Sequence, residues 1–246
     1  MRRVVGKTSS VCVGGLIVFV LWQSSLFSQS QPTSDGASPN PEITDHFRRM
    51  LRYHLRMDGN VPDGAVVFIG DSLTQGLCTD AVACPSVNYG IGQDTTVGVL
   101  VRLLQYRSLL RASALVLEIG VNDLDRRDNR QIIENYRRIL DAVPRSVPVV
   151  CCAMLPVNGR LMSPPDESAN ARIREFNASL KALCSENPRW VFLDPTSRLV
   201  DAEGNLAAAL QDGDGVHPNS DGNRIWIEEL RTAVQKARSI VSSVAP

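Results

Sequence analysis

The chain has 246 residues, 43% of them apolar and 21% charged, with 14 prolines, a composition that fits a soluble globular fold and excludes fibrous and intrinsically disordered classes. The length allows one domain of ordinary to large size with a sizeable core. Lysine plus arginine equals aspartate plus glutamate at 26 each, so no overall field draws the chain to nucleic acid or to anionic lipid.

The N-terminus reads as a targeting segment. Arg2, Arg3 and Lys7 precede an apolar run from Val11 to Trp22 and then a Ser/Gln-rich stretch, the order of a secretory signal. The apolar run is shorter than the about 20 residues that cross a bilayer as a helix, which favours cleavage near Ser28 and Ser30. Extension to Phe27 across Gln23, Ser24 and Ser25 leaves an uncleaved membrane anchor as the alternative. Cys12 lies inside the apolar run without the small residues that precede a lipoprotein cysteine. On either reading residues 1–30 predict export to the periplasm or the extracellular space. Losing Arg2, Arg3 and Lys7 would leave a mildly acidic body.

Residues 31–41, rich in Pro, Ser and Gly, predict a linker, and residues 42–246 the folded domain. From Pro41 to Met57 the residues Ile43, Phe47, Met50, Leu51 and His54 recur at helical spacing. Five short apolar runs then predict strands at Ala65 to Ile69, Ser86 to Tyr89, Leu115 to Ile119, Val147 to Leu155 and Trp190 to Leu193. Between and after them lie helical patterns at Thr95 to Tyr106, Arg130 to Val143, Glu167 to Glu186 and Ser220 to Ser239. Strands that are nearly all apolar and alternate with helices predict a parallel sheet covered on both faces, a three-layer α/β/α domain. Ligands bind such sheets at the carboxyl ends of the strands.

Four blocks carry candidate chemistry, each at a predicted strand end. In the first, Gly70-Asp71-Ser72-Leu73, the serine sits at the first turn after a buried strand, although Asp71 or Ser72 could simply cap the next helix. Near the other end is Asp214-Gly215-Val216-His217, whose spacing lets a carboxylate reach the near ring nitrogen of the histidine. A serine hydroxyl needs a base to take its proton, and that base needs a partner to fix its tautomer. Asp212 is a rival orienting group at a less suitable separation. His46 and His54 fall on the first helix, where a surface or structural role is expected.

Gly120-Val121-Asn122-Asp123 follows the third strand and offers the Asn122 side-chain N–H to a developing oxyanion; a turn residue is the plainer reading. Asn88-Tyr89-Gly90-Ile91-Gly92-Gln93-Asp94 places backbone N–H groups after the second strand. It is no dinucleotide fingerprint, because Thr95 stands where the third glycine would be, and no Gly-Lys-Ser/Thr follows either glycine turn to make a phosphate loop.

These four blocks, in this order, resemble the GDSL or SGNH hydrolase family over nearly all of residues 62–236. The resemblance implies a flavodoxin-like domain with a five-stranded parallel sheet. It implies a serine esterase in which Ser72 is the nucleophile, His217 the base and Asp214 its orienting acid. Ser72, the Gly92–Gln93 turn and Asn122 would supply the oxyanion donors, Asp71 would be structural, and no metal or cofactor is implied. Where the family usually carries glycine before the Asp of the second block, this chain has Gln93, whose side chain could narrow the acyl pocket. The Gly-x-Ser-x-Gly elbow of the larger α/β-hydrolases is absent.

Within the family, export favours short acyl substrates such as O-acetyl groups on carbohydrate. Lysophospholipase or thioesterase action on longer chains, acyl transfer to a sugar, and a binding protein without turnover are the alternatives. The sequence does not determine oligomeric state. The stretch 156–170 predicts a loop at the edge of the site. Asn177-Ala178-Ser179 matches a glycosylation sequon, but within a predicted helix. Cys78 and Cys84 could pair in an oxidising compartment or remain free thiols. Cys151 and Cys152 are expected to point to opposite faces of a strand as core residues.

Overall fold

The computed structural model describes residues 40–242. The export segment expected over residues 1–30 and nearly all of the linker lie outside the described residues. Among the described residues no helix is long and apolar enough to cross a membrane.

The first helix, α1 (Asp45–Asp58), begins later than Pro41 because Thr44 is extended and its hydroxyl accepts the Phe47 N–H, the geometry of an N-cap. Its buried side includes Phe47, His54 and Asp58. Five strands follow at Val66–Gly70 (β1), Ser86–Gly90 (β2), Ala114–Glu118 (β3), Val149–Cys152 (β4) and Trp190–Leu193 (β5). All pair in parallel, in the order β2-β1-β3-β4-β5, as the apolar runs predict.

Alternating residues feed two cores, since successive side chains leave a strand on opposite faces. Val67, Ile69, Leu115, Leu117, Val149 and Cys151 pack with residues of α4 (Asn129–Ala142) and α5 (Ala169–Ser185). Val66, Phe68, Val116, Val150 and Cys152 pack with Trp226, Leu230 and Val234 of α6 (Ser220–Ser242). Cys151 and Cys152 therefore part to opposite faces, and the Trp226 indole N–H donates to Cys152 Sγ at 3.3 Å. Cys78 and Cys84 are both exposed and stand as separate thiols.

Two elements are shorter than the pattern predicts, and tertiary hydrogen bonds explain both. The helix expected from Thr95 to Tyr106 is α3 (Thr96–Arg102) followed by 3₁₀ turns. There the Asp58 carboxylate accepts the Arg107 and Ser108 N–H groups, and Tyr106 stacks on Tyr89 at 4.1 Å between centroids. Beyond Cys152 the chain stays buried but leaves the sheet, because side-chain amides take over its backbone groups. Asn177 bonds both N–H and C=O of Met154, and Asn170 does the same for Val157. Asn177 is thus a buried structural amide rather than a glycan acceptor.

The sheet's carboxyl edge is tightly packed around a short helix, α2 (Ser72–Gln75). A Cβ on Gly70 would lie 2.1 Å from Thr74 Oγ1 and 2.2 Å from the Glu118 carbonyl oxygen, and one on Gly90 would lie 2.2 Å from the Gln75 nitrogen. The glycines that close β1 and β2 are required by this close approach.

Candidate active site

Ser72 opens α2 directly beyond β1. Asp71 precedes it as the N-cap, its Oδ1 accepting the Leu73 N–H at 3.0 Å, which holds the serine at the turn. His217 reaches Ser72 from a loop 145 residues further on, with Nε2 2.8 Å from Ser72 Oγ and Nδ1 2.6 Å from Asp214 Oδ2. A carboxylate only accepts, so Nδ1 carries the proton and Nε2 accepts from the Ser72 hydroxyl. Asp214 Oδ1 also accepts the backbone N–H groups of Val216 and His217, at 2.8 and 2.9 Å. Burial alone would raise the Asp214 carboxyl, but these bonds and the imidazole outweigh it and hold the carboxyl below its usual range. Asp214, not the rival Asp212, is the group on the imidazole; Asp212 meets His217 through its backbone N–H.

The donors expected around Ser72 need one refinement. The Gly92 N–H donates to Gln75 Oε1 at 2.5 Å. Of the Gly92–Gln93 turn, only the Gln93 N–H is left without a partner among the described residues, as is the Ser72 N–H. Gln93 adopts φ 65°, the sole non-glycine residue with positive φ among those described. That backbone favours glycine, and holding a side-chain-bearing residue there costs roughly 1–2 kcal/mol. Gln93 thus reaches the conformation for which glycine is the usual choice.

Asn122 lies in a 3₁₀ turn after β3, and its Nδ2 donates to the Asp94 carbonyl at 3.0 Å. One amide proton so engaged fixes the orientation of the group and leaves the second available. Next to it the buried Asp123 accepts the Thr96 N–H at 3.0 Å and the Thr96 hydroxyl at 2.5 Å, and pairs with Arg127. Beneath the turn the Arg102–Asp94 ion pair is closed at 2.8 Å with both side chains fully buried.

Two buried carboxyls flank the strand end that precedes Ser72 without full partnering. Among the described residues, Asp71 Oδ2 and both oxygens of Glu118 lack hydrogen-bond partners, and Glu118 sits in register with Gly70. Burial pushes Asp71 up to about 7 and, with the Asp71 charge, raises Glu118 well above the usual carboxylate range. Unpaired and desolvated, this pair carries protons that an exposed pair would lose.

The two histidines of α1 take the structural and surface places expected of them. His54 is buried against Tyr106 at 3.1 Å, and burial first, then the Arg102 charge, holds it down at about 4. His46 is exposed, and its imidazole lies near Gly92. A Cβ placed on Gly92 would lie 3.1 Å from Gln75 Oε1, 3.6 Å from His46 Nε2 and 3.9 Å from Ser72 Cβ. Nothing in its local sequence separates His46 from a surface helix residue, because the contact depends on how α1 packs across the 92–98 turn.

A family model described as "GDSL-like Lipase/Acylhydrolase family" matches residues 68–225. The chain belongs to this family. It spans the four blocks, and the family's acylhydrolase and esterase class is that of this enzyme. Among solved structures, a GDSL-like lipase from Bacteroides thetaiotaomicron matches with TM-score 0.66 and 20% identity, covering 76% of this chain and 98% of that one. A lipase/acylhydrolase from Enterococcus faecalis matches with TM-score 0.59 and 18% identity over 72% and 96%. A catalytic mutant of an acetylxylan esterase from Geobacillus stearothermophilus matches with TM-score 0.56 and 17% identity over 70% and 94%. At these identities the likeness establishes the shared fold. Among curated proteins none matches.

Proposed function

We propose that this GDSL-family enzyme hydrolyses short acyl esters, such as O-acetyl groups on carbohydrate, through an acyl-enzyme on Ser72. The observation that carries the reading is the unbroken chain from Ser72 Oγ through His217 to Asp214, set beside the unpartnered N–H groups of Ser72 and Gln93. As Ser72 Oγ attacks the ester carbonyl, His217 Nε2 takes its proton and Asp214 stabilises the imidazolium. The tetrahedral oxyanion is held by the Ser72 and Gln93 N–H groups and the second Asn122 amide proton. His217 then protonates the leaving alcohol. Water, deprotonated by the same imidazole, releases the acid and restores the serine.

The short-chain preference is supported by the acetylxylan esterase among the structural relatives. The basic start and apolar run of residues 1–30 support export, which would bring acetylated envelope polysaccharide within reach.

The test is hydrolysis of p-nitrophenyl esters from acetate to palmitate by residues 40–246, comparing wild type with Ser72→Ala and His217→Ala. Each substitution should lower turnover by a factor on the order of 10⁴ to 10⁶, and acetate should be preferred. Equal rates in wild type and variants would overturn the mechanism, and preference for palmitate would overturn the short-chain assignment.

A further inference from the structure

The space beside the nucleophile on the Gly92 side is walled by polar groups that the acyl-transfer chemistry does not use. The His46 imidazole has no hydrogen-bond partner among the described residues, and its Nε2 and the Ser72 Cβ both lie within 4 Å of the same point, where Gly92 lacks a side chain. Gln75 reaches that point from α2. Its Oε1 is held by the Gly92 N–H, so its Nε2, with two further protons, is the free end of the amide.

Glu42, just before α1, anchors the start of the helix on this wall. Glu42 bonds the Thr95 hydroxyl and, at 2.5 Å, Arg127, which also pairs with Asp123. His46 Nε2 lies beside Gly92, and the Phe47 ring would come within 3.0 Å of a Cβ on Gly98. His46, itself exposed, thus stands near Gly92 on a helix whose start is anchored.

We propose that His46 and the Gln75 amide nitrogen form a subsite for hydroxyl groups of the substrate's alcohol portion, selecting sugar or polyol esters over alkyl esters. The inference rests on the esterase reading above and deepens it. An imidazole both donates and accepts and an amide nitrogen donates, which is the complement of a hydroxyl. An alkyl group in the same place would displace water from both without replacing its hydrogen bonds, a modest cost because both side chains are exposed.

The experiment compares kcat/KM for glycerol monoacetate and propyl acetate, which share the acyl group and the three-carbon alcohol and differ in hydroxyls. Wild type should favour glycerol monoacetate. His46→Phe, which keeps a ring and removes the hydrogen bonds, should cut that preference about five- to tenfold, corresponding to roughly one hydrogen bond, chiefly through KM. His46→Gln should recover part of it. A general loss of activity moves both esters together and leaves the ratio intact, so an unchanged ratio in His46→Phe overturns the subsite, as does a wild type without preference for the hydroxylated ester. Ser72-dependent turnover of p-nitrophenyl acetate, measured alongside, separates failure of the subsite from failure of the esterase reading.

Discussion

Replacing Arg102 by methionine should destabilise the protein severely although the residue touches no solvent and no substrate. Its guanidinium ties four points together. Nε pairs with Asp94 Oδ2 at 2.8 Å, one terminal nitrogen bonds the Tyr89 carbonyl at 2.6 Å and the Tyr106 hydroxyl at 3.0 Å, and the other bonds the Gly70 carbonyl at 3.0 Å. Arg102→Met fills most of the same volume but leaves Asp94 as a buried carboxylate with the Thr95 N–H as its remaining bond. Removing one member of a buried pair costs about 3–5 kcal/mol, because the survivor stays desolvated. For a domain of this size each kcal/mol moves the midpoint by about 2–4 °C, so Tm should fall by roughly 6–20 °C.

Thermal melts followed by circular dichroism, with urea titrations at 25 °C, would measure it. The double variant Arg102→Met/Asp94→Leu removes the stranded charge and should be less destabilised than the sum of the two single variants. The charge-stranding argument is wrong if Arg102→Met loses less than about 1 kcal/mol, or if the two substitutions simply add.

Two further outcomes follow from the same edge of the sheet. Asp71, raised to about 7, and Glu118, raised well above the usual carboxylate range, hold protons in the folded state that the unfolded chain releases near pH 4, so their contribution to stability is full at low pH and declines as pH rises toward 7. His54, lowered to about 4, acts with the opposite sign between about pH 4 and 6.5. It is common to both proteins, so the difference between wild type and Glu118→Gln isolates the carboxyls. In urea titrations from pH 5 to 7.5 the variant should lose part of the wild-type decline, up to about 1.4 kcal/mol per pH unit for one proton; identical slopes would contradict the shared burial. Asn122→Ala should lower kcat by about 10²–10³ with little change in KM, the expected loss of one oxyanion donor, and steady-state kinetics showing a KM effect alone would remove Asn122 from that role.

The alternation of apolar runs with helical stripes suffices to read the five parallel strands, because strands buried on both faces must be apolar throughout. The blocks around Ser72, Asn122 and His217 are legible for a related reason: each directly follows a strand or lies in a Gly/Asp-rich loop, so its place at the sheet's carboxyl edge is a local property of the chain. Asp214 and His217 are legible together because a separation of three residues suffices for the carboxylate to reach the ring.

What the sequence by itself determined, then, is the layered fold and the identity of the groups gathered at one sheet edge. Tertiary structure decided which of those groups are free to act. The Gly92 N–H is engaged by a side chain 17 residues away, which leaves the Gln93 N–H as the unpartnered one of that turn among the described residues. The helix after β2 gives way at Arg102 to 3₁₀ turns, beyond which Asp58, about 50 residues earlier, accepts the Arg107 and Ser108 N–H groups. His46 comes near Gly92 only because α1 packs beside the segment that carries Gly92 and Gly98. Hydrophobic periodicity records which face of an element is buried, but not which distant partner covers it. Hydrogen bonds between residues far apart in the chain leave no periodic trace at either end.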